Sequence, residues 1–299
     1  MIIVCTPFTP HGTMPRMTSK RRIVTIMTDF GEQDEYVGVK KGVILNILPD
    51  CQLIDISHQV KPQDIRQAAG FIDNAYPYFP PQTVHIVVVD PGVGSERRPI
   101  VLHTERGTFV APDNGVLTLV HNHEKKPKAY LIDKPEYWLP SPSNTFHGRD
   151  IFSPIGAHLA SGIAIEKLAS PLKSINLFAE AELLVSPSMI KGEVLRVDRF
   201  GNALSNIALL RWVDELTIEI EHVTASKERS TMRFNSKTAR VVCGWHTIDG
   251  IQHTYAESSA GEPLALVGSS GELEIAVNLG NAGERFAIQV GSPITIQLP

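Results

Sequence analysis

The chain has 299 residues, 42% hydrophobic and 20% charged, with a formal net charge of -4, a length that suits one large domain or two ordinary ones. The negative balance argues against a general nucleic-acid binder, whose phosphate contacts need a basic surface, and no apolar run approaches the roughly 18 residues of a membrane helix. Three cysteines stand far apart and outside any CxxC spacing, so they spell neither a disulfide framework nor a zinc site, and free thiols in a reducing, cytoplasmic compartment are expected.

Residues 1–21 carry prolines and late basic residues, the reverse of a secretory signal's order, and are expected to form a disordered leader. Residues 23–27 are a short apolar β-rich run closed by Thr28 and Asp29, and the segment after them places Tyr36, Val39, Val43, Ile44 and Ile47 at helical spacing. A second strand covers residues 51–57, a helix follows Pro62 and Asp64, and the β-branched run VHIVVV at residues 84–89 makes a third strand that ends at Asp90. Strands alternating with helices imply a parallel sheet with right-handed crossovers. Ligands of such sheets bind outside the carboxyl ends of the strands. There Asp90 is followed by a glycine turn and by Arg97 and Arg98, although an acid so placed also serves simply to cap a turn.

From Pro99 the pattern changes. PIVLHT and GTFVAPD predict a hairpin about Arg106 and Gly107, a short helix and another strand follow, and a polar loop holds His147 and Arg149. Asp150 is placed to N-cap the amphipathic helix behind it. Residues 172–188 show no clear period, and beyond them five segments alternate at period two with turn residues between, as in a small antiparallel barrel or sandwich. The expected organisation is a leader (1–21), a Rossmann-like α/β parallel-sheet domain (22–175), a linker (176–188) and a β-barrel domain (189–299).

Several chemistries fail on spacing. Gly92 and Gly94 follow a strand, but the third glycine of a dinucleotide fingerprint would fall on Arg97, whose bulk blocks the close helix contact. No GK[ST] follows for a phosphate loop, and no GxSxG elbow exists. The eleven histidines form no HExxH or Cys/His set, so no metal is expected. What remains is acids, arginine, histidine and asparagines at strand ends, an inventory suited to holding a hydroxyl-rich small molecule and activating water.

Seven motifs then occur in a fixed order: TDFG from Thr28, KGVI from Lys41, DISH from Asp55, VDPGVGSERRP from Val89, APDNGVLT from Ala111, FHGRDIFSPIGAHLASG from Phe146 and DRFGNALSNI from Asp198. In this the chain resembles the S-adenosyl-methionine hydroxide adenosyltransferases, hydrolytic relatives of the fluorinase and chlorinase enzymes, from about Arg22 to the C-terminus. The resemblance implies a Rossmann-like domain, a small β-barrel, and a homotrimer holding its ligand between the N-terminal domain of one subunit and the C-terminal domain of the next.

It also implies displacement of methionine from S-adenosyl-methionine by water at the ribose 5′ carbon, giving adenosine. It implies no cofactor, since S-adenosyl-methionine is the substrate. The leaving thioether is neutral and needs no acid to expel it, whereas water must be held in line and relieved of a proton. The matching catalytic positions are Asp90, Arg97 and His147. Which of them takes the proton stays open, because an arginine beside an aspartate makes it a weaker base.

Among the substrate positions the resemblance implies, Asp29 would hold the ribose hydroxyls, and Phe146 and Gly148 would line the pocket. Asn202 would read adenine, and Tyr255 would stack on it. Asp198 would hold the methionine ammonium and Ser269 its carboxylate. Taken singly, Asp29 also reads as a helix N-cap, Asn202 as a left-handed turn residue and Tyr255 as a core aromatic. Asp90 stands where the halogenases carry a tyrosine and disfavours an incoming halide. Gly148, shared with the chlorinase type, leaves a weak chloride activity open. Ser270 and Val277 stand where the fluorinase has arginines. A non-catalytic adenosine or S-adenosyl-methionine binding protein is the rival from another class.

Overall fold

The structure, a computed structural model, describes residues 22–223 and 228–299; the expected leader, 1–21, lies outside the described residues. The chain divides into two compact units, up to Phe178 and from Ala179 onward.

The first unit runs β1 (Ile23–Thr28), α1 (Tyr36–Ile47), β2 (Gln52–Ser57), α2 (Ile65–Ala75), β3 (Thr83–Val88), β4 (Pro99–His103), β5 (Gly107–Pro112), α3 (Thr118–His123), β6 (Lys128–Leu131), α4 (Ser153–Ser161), α5 (Ile165–Leu168) and β7 (Ser170–Leu172). Strands β1 and β3 are buried at every position, which is why IVTIMT and TVHIVV read as continuous apolar, β-branched runs with no outward polar alternation. One face of the sheet packs Val24, Ile26 and Ile86 with Ile44 of α1 and Ile155 of α4. The other packs Met27 and Val87 with Ile72 of α2 and Val120 of α3. Burying each such side chain contributes roughly 1.5–3 kcal/mol. Helix α2 starts where its cap predicts, the Asp64 carboxylate accepting from Gln67 N at 2.9 Å.

The sheet order is β2-β1-β3-β5-β4-β6-β7. Only the first four strands are mutually parallel, so the expected parallel sheet is corrected to a mixed one. The β4–β5 hairpin is the cause: β5 docks parallel to β3, which turns β4 around and leaves β6 and β7 to add antiparallel at the edge.

The second unit comprises β8 (Leu184–Ser186), β9 (Met189–Val197), β10 (Ala203–Ser205), β11 (Leu210–Trp212), β12 (Thr217–Val223), β13 (Arg229–Asn235), β14 (Arg240–Cys243), β15 (His246–Asp249), β16 (Pro263–Val267), β17 (Leu273–Val277), α6 (Ala282–Arg285) and β18 (Pro293–Gln297). Seven strands follow one antiparallel path, β15-β14-β18-β9-β10-β17-β16, with β8 on β9 and a separate β11-β12-β13 sheet. Gln252 N donates to Ala265 O at 2.8 Å, bringing the segment after β15 against β16, so the two ends of the path approach and the sheet is barrel-like. Its core gathers Ile190, Val194, Ile275, Ile294 and Ile296 with Ile218 and Ile220 of β12. The stretch read as a linker contains β8, paired with β9. Among the described residues no helix is long and apolar enough to cross a membrane.

Candidate active site

Strand β3 delivers Val89 and Asp90 to the carboxyl edge of the sheet, where Asn114 Nδ2 donates to Val89 O at 2.8 Å. The chain then turns through Gly92 and Gly94, and Ser95 Oγ, donating to Gly92 O at 2.6 Å, folds the loop back on itself. Gly94 has φ +78°, and a Cβ there would lie 2.4 Å from Asn144 O. Only glycine lets this loop press so closely on the 143–147 segment.

The fold-back returns Arg97 to Asp90. Arg97 Nε lies 2.9 Å from both Asp90 oxygens and Nη2 lies 2.6 Å from Oδ2, with the side chains only 9% and 5% exposed. The same Nη2 is 2.7 Å from His147 Nδ1, and the guanidinium stands 5.2 Å from the Phe152 ring centroid. The structure therefore brings Asp90, Arg97 and His147 into one cluster, with Arg97 at its centre.

The proton placement follows from donor chemistry. A guanidinium has no acceptor, so His147 Nδ1 must receive the hydrogen, which leaves the imidazole neutral with its proton on Nε2. Burial, and after it the Arg97 charge, hold the His147 pKa below its ordinary value. Asp90 does more than cap a turn, since both its oxygens engage Arg97.

His147 opens a π-helical turn, Gly148–Phe152, that runs into α4. Asp150 sits inside that turn and does not cap α4, a correction to the sequence expectation. Its carboxylate accepts from Ser143 N at 2.8 Å and from Arg149 Nε at 2.6 Å, so it ties down the loop before His147. Phe146 packs edge-on against Phe30 and Tyr36, at centroid distances of 5.9 and 5.3 Å. Gly148 is buried, and a Cβ there would meet Phe146, Phe30 and Val88 each at 3.5 Å, an ordinary contact.

Asp29 follows β1 and is half-buried, its Oδ2 accepting from Gln63 N at 2.8 Å. It does not cap α1, whose N-cap is Glu35. His58 of the DISH motif is buried with Nδ1 2.8 Å from Thr28 Oγ1. Its Nε2 is 3.1 Å from Asp55 Oδ1, so it braces the ends of β1 and β2. Two groups escaped sequence reasoning here. Tyr36 reads there only as an apolar helix position, and Lys40 is fully buried, 5.4 Å from the Phe30 centroid. Burial lowers the Lys40 pKa to about 7 against the pull of Asp29 and Asp55; a lysine at the inner stripe of α1 was the available signal.

In the second unit Asp198 and Asn202 close one tight turn. Asp198 Oδ1 accepts from Phe200 N at 2.8 Å and Asn202 N at 2.9 Å. Gly201 supplies the positive φ of +86°. Asn202 is not itself left-handed, and it is 7% exposed. Its Nδ2 lies 3.3 Å from Asp198 Oδ2 and 3.4 Å from the Tyr255 hydroxyl, and that hydroxyl donates to Glu274 Oε1. Tyr255 is 43% exposed, so it is no core aromatic. Burial, and then Glu274, raise its pKa; burial also raises that of Glu274. Glu274 is a further residue missed from sequence, a carboxylate in a strand buried at every position. Ser269 is exposed in the turn from β16 to β17. Among the described residues no group of three or more His, Cys, Asp or Glu side chains is placed to hold a metal ion.

A mixed α/β sheet and a barrel-like β sheet in one chain, each carrying a cluster of polar and charged side chains, place the chain among two-unit α/β and β proteins. Within that class the chain belongs to the SAM hydroxide adenosyltransferase family, whose N-terminal domain model matches residues 24–169 and whose C-terminal domain model matches residues 192–295. It is similar to the (R)-S-adenosyl-L-methionine hydrolase of Thermus thermophilus, 35% identical over 287 residues that cover 92% of this chain and 99% of the relative. A fluorinase of Nocardia brasiliensis is more distant, at 28% identity over 65% of this chain and 74% of its own length. A solved structure of a conserved Thermotoga maritima protein matches with a TM-score of 0.79 at 35% identity, covering 92% of this chain and 99% of that one.

Proposed function

We propose that this protein hydrolyses S-adenosyl-methionine to adenosine and L-methionine. Water attacks the ribose 5′ carbon in line with sulfur; the C5′–O bond forms as the C5′–S bond breaks, and the electron pair leaves with the neutral thioether of methionine. Family membership and the hydrolase relatives support the reaction. The observation that carries the reading is the Arg97 bridge between Asp90 and His147. With Nδ1 engaged, His147 offers an Nε2–H that donates to the water oxygen and stabilises its hydroxide character. Asp90 orients the water and takes its proton as the C5′–O bond forms, when the attacking oxygen becomes acidic enough for even an arginine-paired carboxylate to accept from it. Arg97 holds both partners in register, so the attacking geometry is set before substrate arrives.

Asp29 then takes the ribose hydroxyls, with Phe146 and Gly148 lining the pocket. Asn202 and Tyr255 take adenine, Asp198 the methionine ammonium and Ser269 its carboxylate. A carboxylate at the attack position repels a halide ion while accepting a proton from water, which favours hydrolysis over halogenation. The acting form is the homotrimer that the family resemblance implies.

The purified protein incubated with S-adenosyl-methionine is expected to release adenosine and methionine in equal amounts, followed by chromatography. Asp90→Ala should lower the rate by about 100-fold or more while adenosine still binds. Hydrolysis at the parent rate in that variant would remove Asp90 from the mechanism. Ligand binding with no adenosine above the blank would instead identify a binding module.

A further inference from the structure

The adenine-reading position in the second unit has a polarity that its neighbours impose. Asp198 Oδ2 can only accept, so the Asn202 atom facing it at 3.3 Å is the amide nitrogen. Its second hydrogen is directed at the Tyr255 oxygen, 3.4 Å away. That oxygen can receive it because the Tyr255 hydroxyl hydrogen already goes to Glu274 Oε1. Both Asn202 N–H groups are therefore committed within the protein, and only its carbonyl Oδ1 is left for a ligand. A carbonyl accepts and does not donate, so the ligand group it fits is an amine.

We propose that Glu274 is a positioning residue which, through Tyr255, keeps the second Asn202 N–H occupied, so that only Oδ1 meets the base and a 6-amino purine is selected against a 6-oxo purine. This rests on the reading that Asn202 contacts the base of the substrate. Gly268 adjoins the same carboxylate. A Cβ on Gly268 would lie 3.3 Å from Glu274 Oε2, so the bare backbone leaves the carboxylate its place. In Glu274→Gln the new amide can donate to the Tyr255 oxygen and the hydroxyl hydrogen is released from residue 274. Asp198 still holds the Asn202 nitrogen in place, but the second N–H loses its acceptor and becomes available to a 6-oxo base. A site with committed hydrogen bonds rejects a mismatched analogue because buried polar groups lose their partners.

The test uses the full chain and two probes, adenosine and inosine, with dissociation constants from calorimetry and turnover of S-adenosyl-methionine measured alongside. The parent is expected to bind adenosine at least tenfold tighter than inosine. Glu274→Gln should shrink that ratio about tenfold, and Tyr255→Phe, at a half-exposed ring, should move it the same way if the first variant fails to fold. A general loss of structure would weaken both probes together and leave the ratio in place. Parent selectivity with an unchanged ratio in folded variants overturns the positioning role and spares the hydrolase reading. Parent turnover without discrimination between the bases overturns the amide polarity. A parent that neither binds adenosine nor turns over S-adenosyl-methionine overturns the hydrolase reading, and this inference with it.

Discussion

Arg97 is the residue on which the first cluster depends, because it is the only member that contacts both others. Removing it leaves a carboxylate with 5% side-chain exposure and no counter-charge. Breaking a buried pair from one side costs about 3–5 kcal/mol, so Arg97→Met should lower the denaturation midpoint as well as abolish turnover, both read on the same preparation by chemical unfolding and by the adenosine assay. Asp90→Ala removes the other side of the pair and should be less harmful to stability, since a guanidinium keeps the Phe152 ring as a neighbour. The sequence placed Asp90 and Arg97 seven apart, but whether their side chains met depended on a loop that folds back through the Ser95 hydroxyl.

At the scale of elements, the loop after β3 and the π-helical turn before α4 are complementary parts. One presents Asp90 and Arg97, the other His147, and they meet where Gly94 abuts Asn144. Gly94→Ala meets both a backbone conformation that costs ~1–2 kcal/mol for a side chain and a Cβ 2.4 Å from a carbonyl oxygen. It should separate the two parts, lowering turnover at least tenfold while far-ultraviolet circular dichroism stays at the parent level. The capping role expected of Asp150 fails for a related reason. The π turn carries the helix one turn earlier than the apolar pattern suggests, so the carboxylate is left inside it and serves the preceding loop. Nothing in residue spacing announces a π turn, whereas the Asp64 cap obeys a local rule and was legible.

For the whole molecule the buried histidines set the response to acid. His85 stacks on Phe109 in the core of the first unit, with Nδ1 2.8 Å from Thr25 Oγ1, and burial lowers its pKa to about 3. Between pH 6.5 and about 3 the unfolded chain takes up a proton there that the folded chain refuses. Stability therefore falls as pH is lowered through that window, by ~1.4 kcal/mol per unit from this group. His58, His147 and His158 are also shifted downward, with burial the first cause, and act in the same sense. Calorimetric melting temperatures should drop steadily from pH 7 toward pH 5; a flat profile would mean that these rings are solvated. The proposed trimer is a separate matter, read from sedimentation at neutral pH, where a monomer would refute it.

The order of strands and helices, the apolar runs of β1 and β3, the turn glycines and the family motifs are local features, and the sequence determined them because each follows from backbone preference or side-chain period within a few residues. The family resemblance, rather than any local rule, singled out Asp198, Asn202 and Tyr255, while Asp90, Arg97 and His147 also stood out as polar residues at strand ends and in a polar loop. Which atoms face one another was decided only by tertiary structure: the reversal of β4 that makes the sheet mixed, the Arg97 bridge that makes His147 neutral, and the Glu274 to Tyr255 to Asn202 chain that commits an amide. Such contacts join residues far apart in sequence, as far as the 72 positions between Asn202 and Glu274, and a hydrogen bond's direction depends on every partner around it. No spacing rule carries that information, since the donor at one end is fixed by an acceptor that the chain reaches only after it has folded.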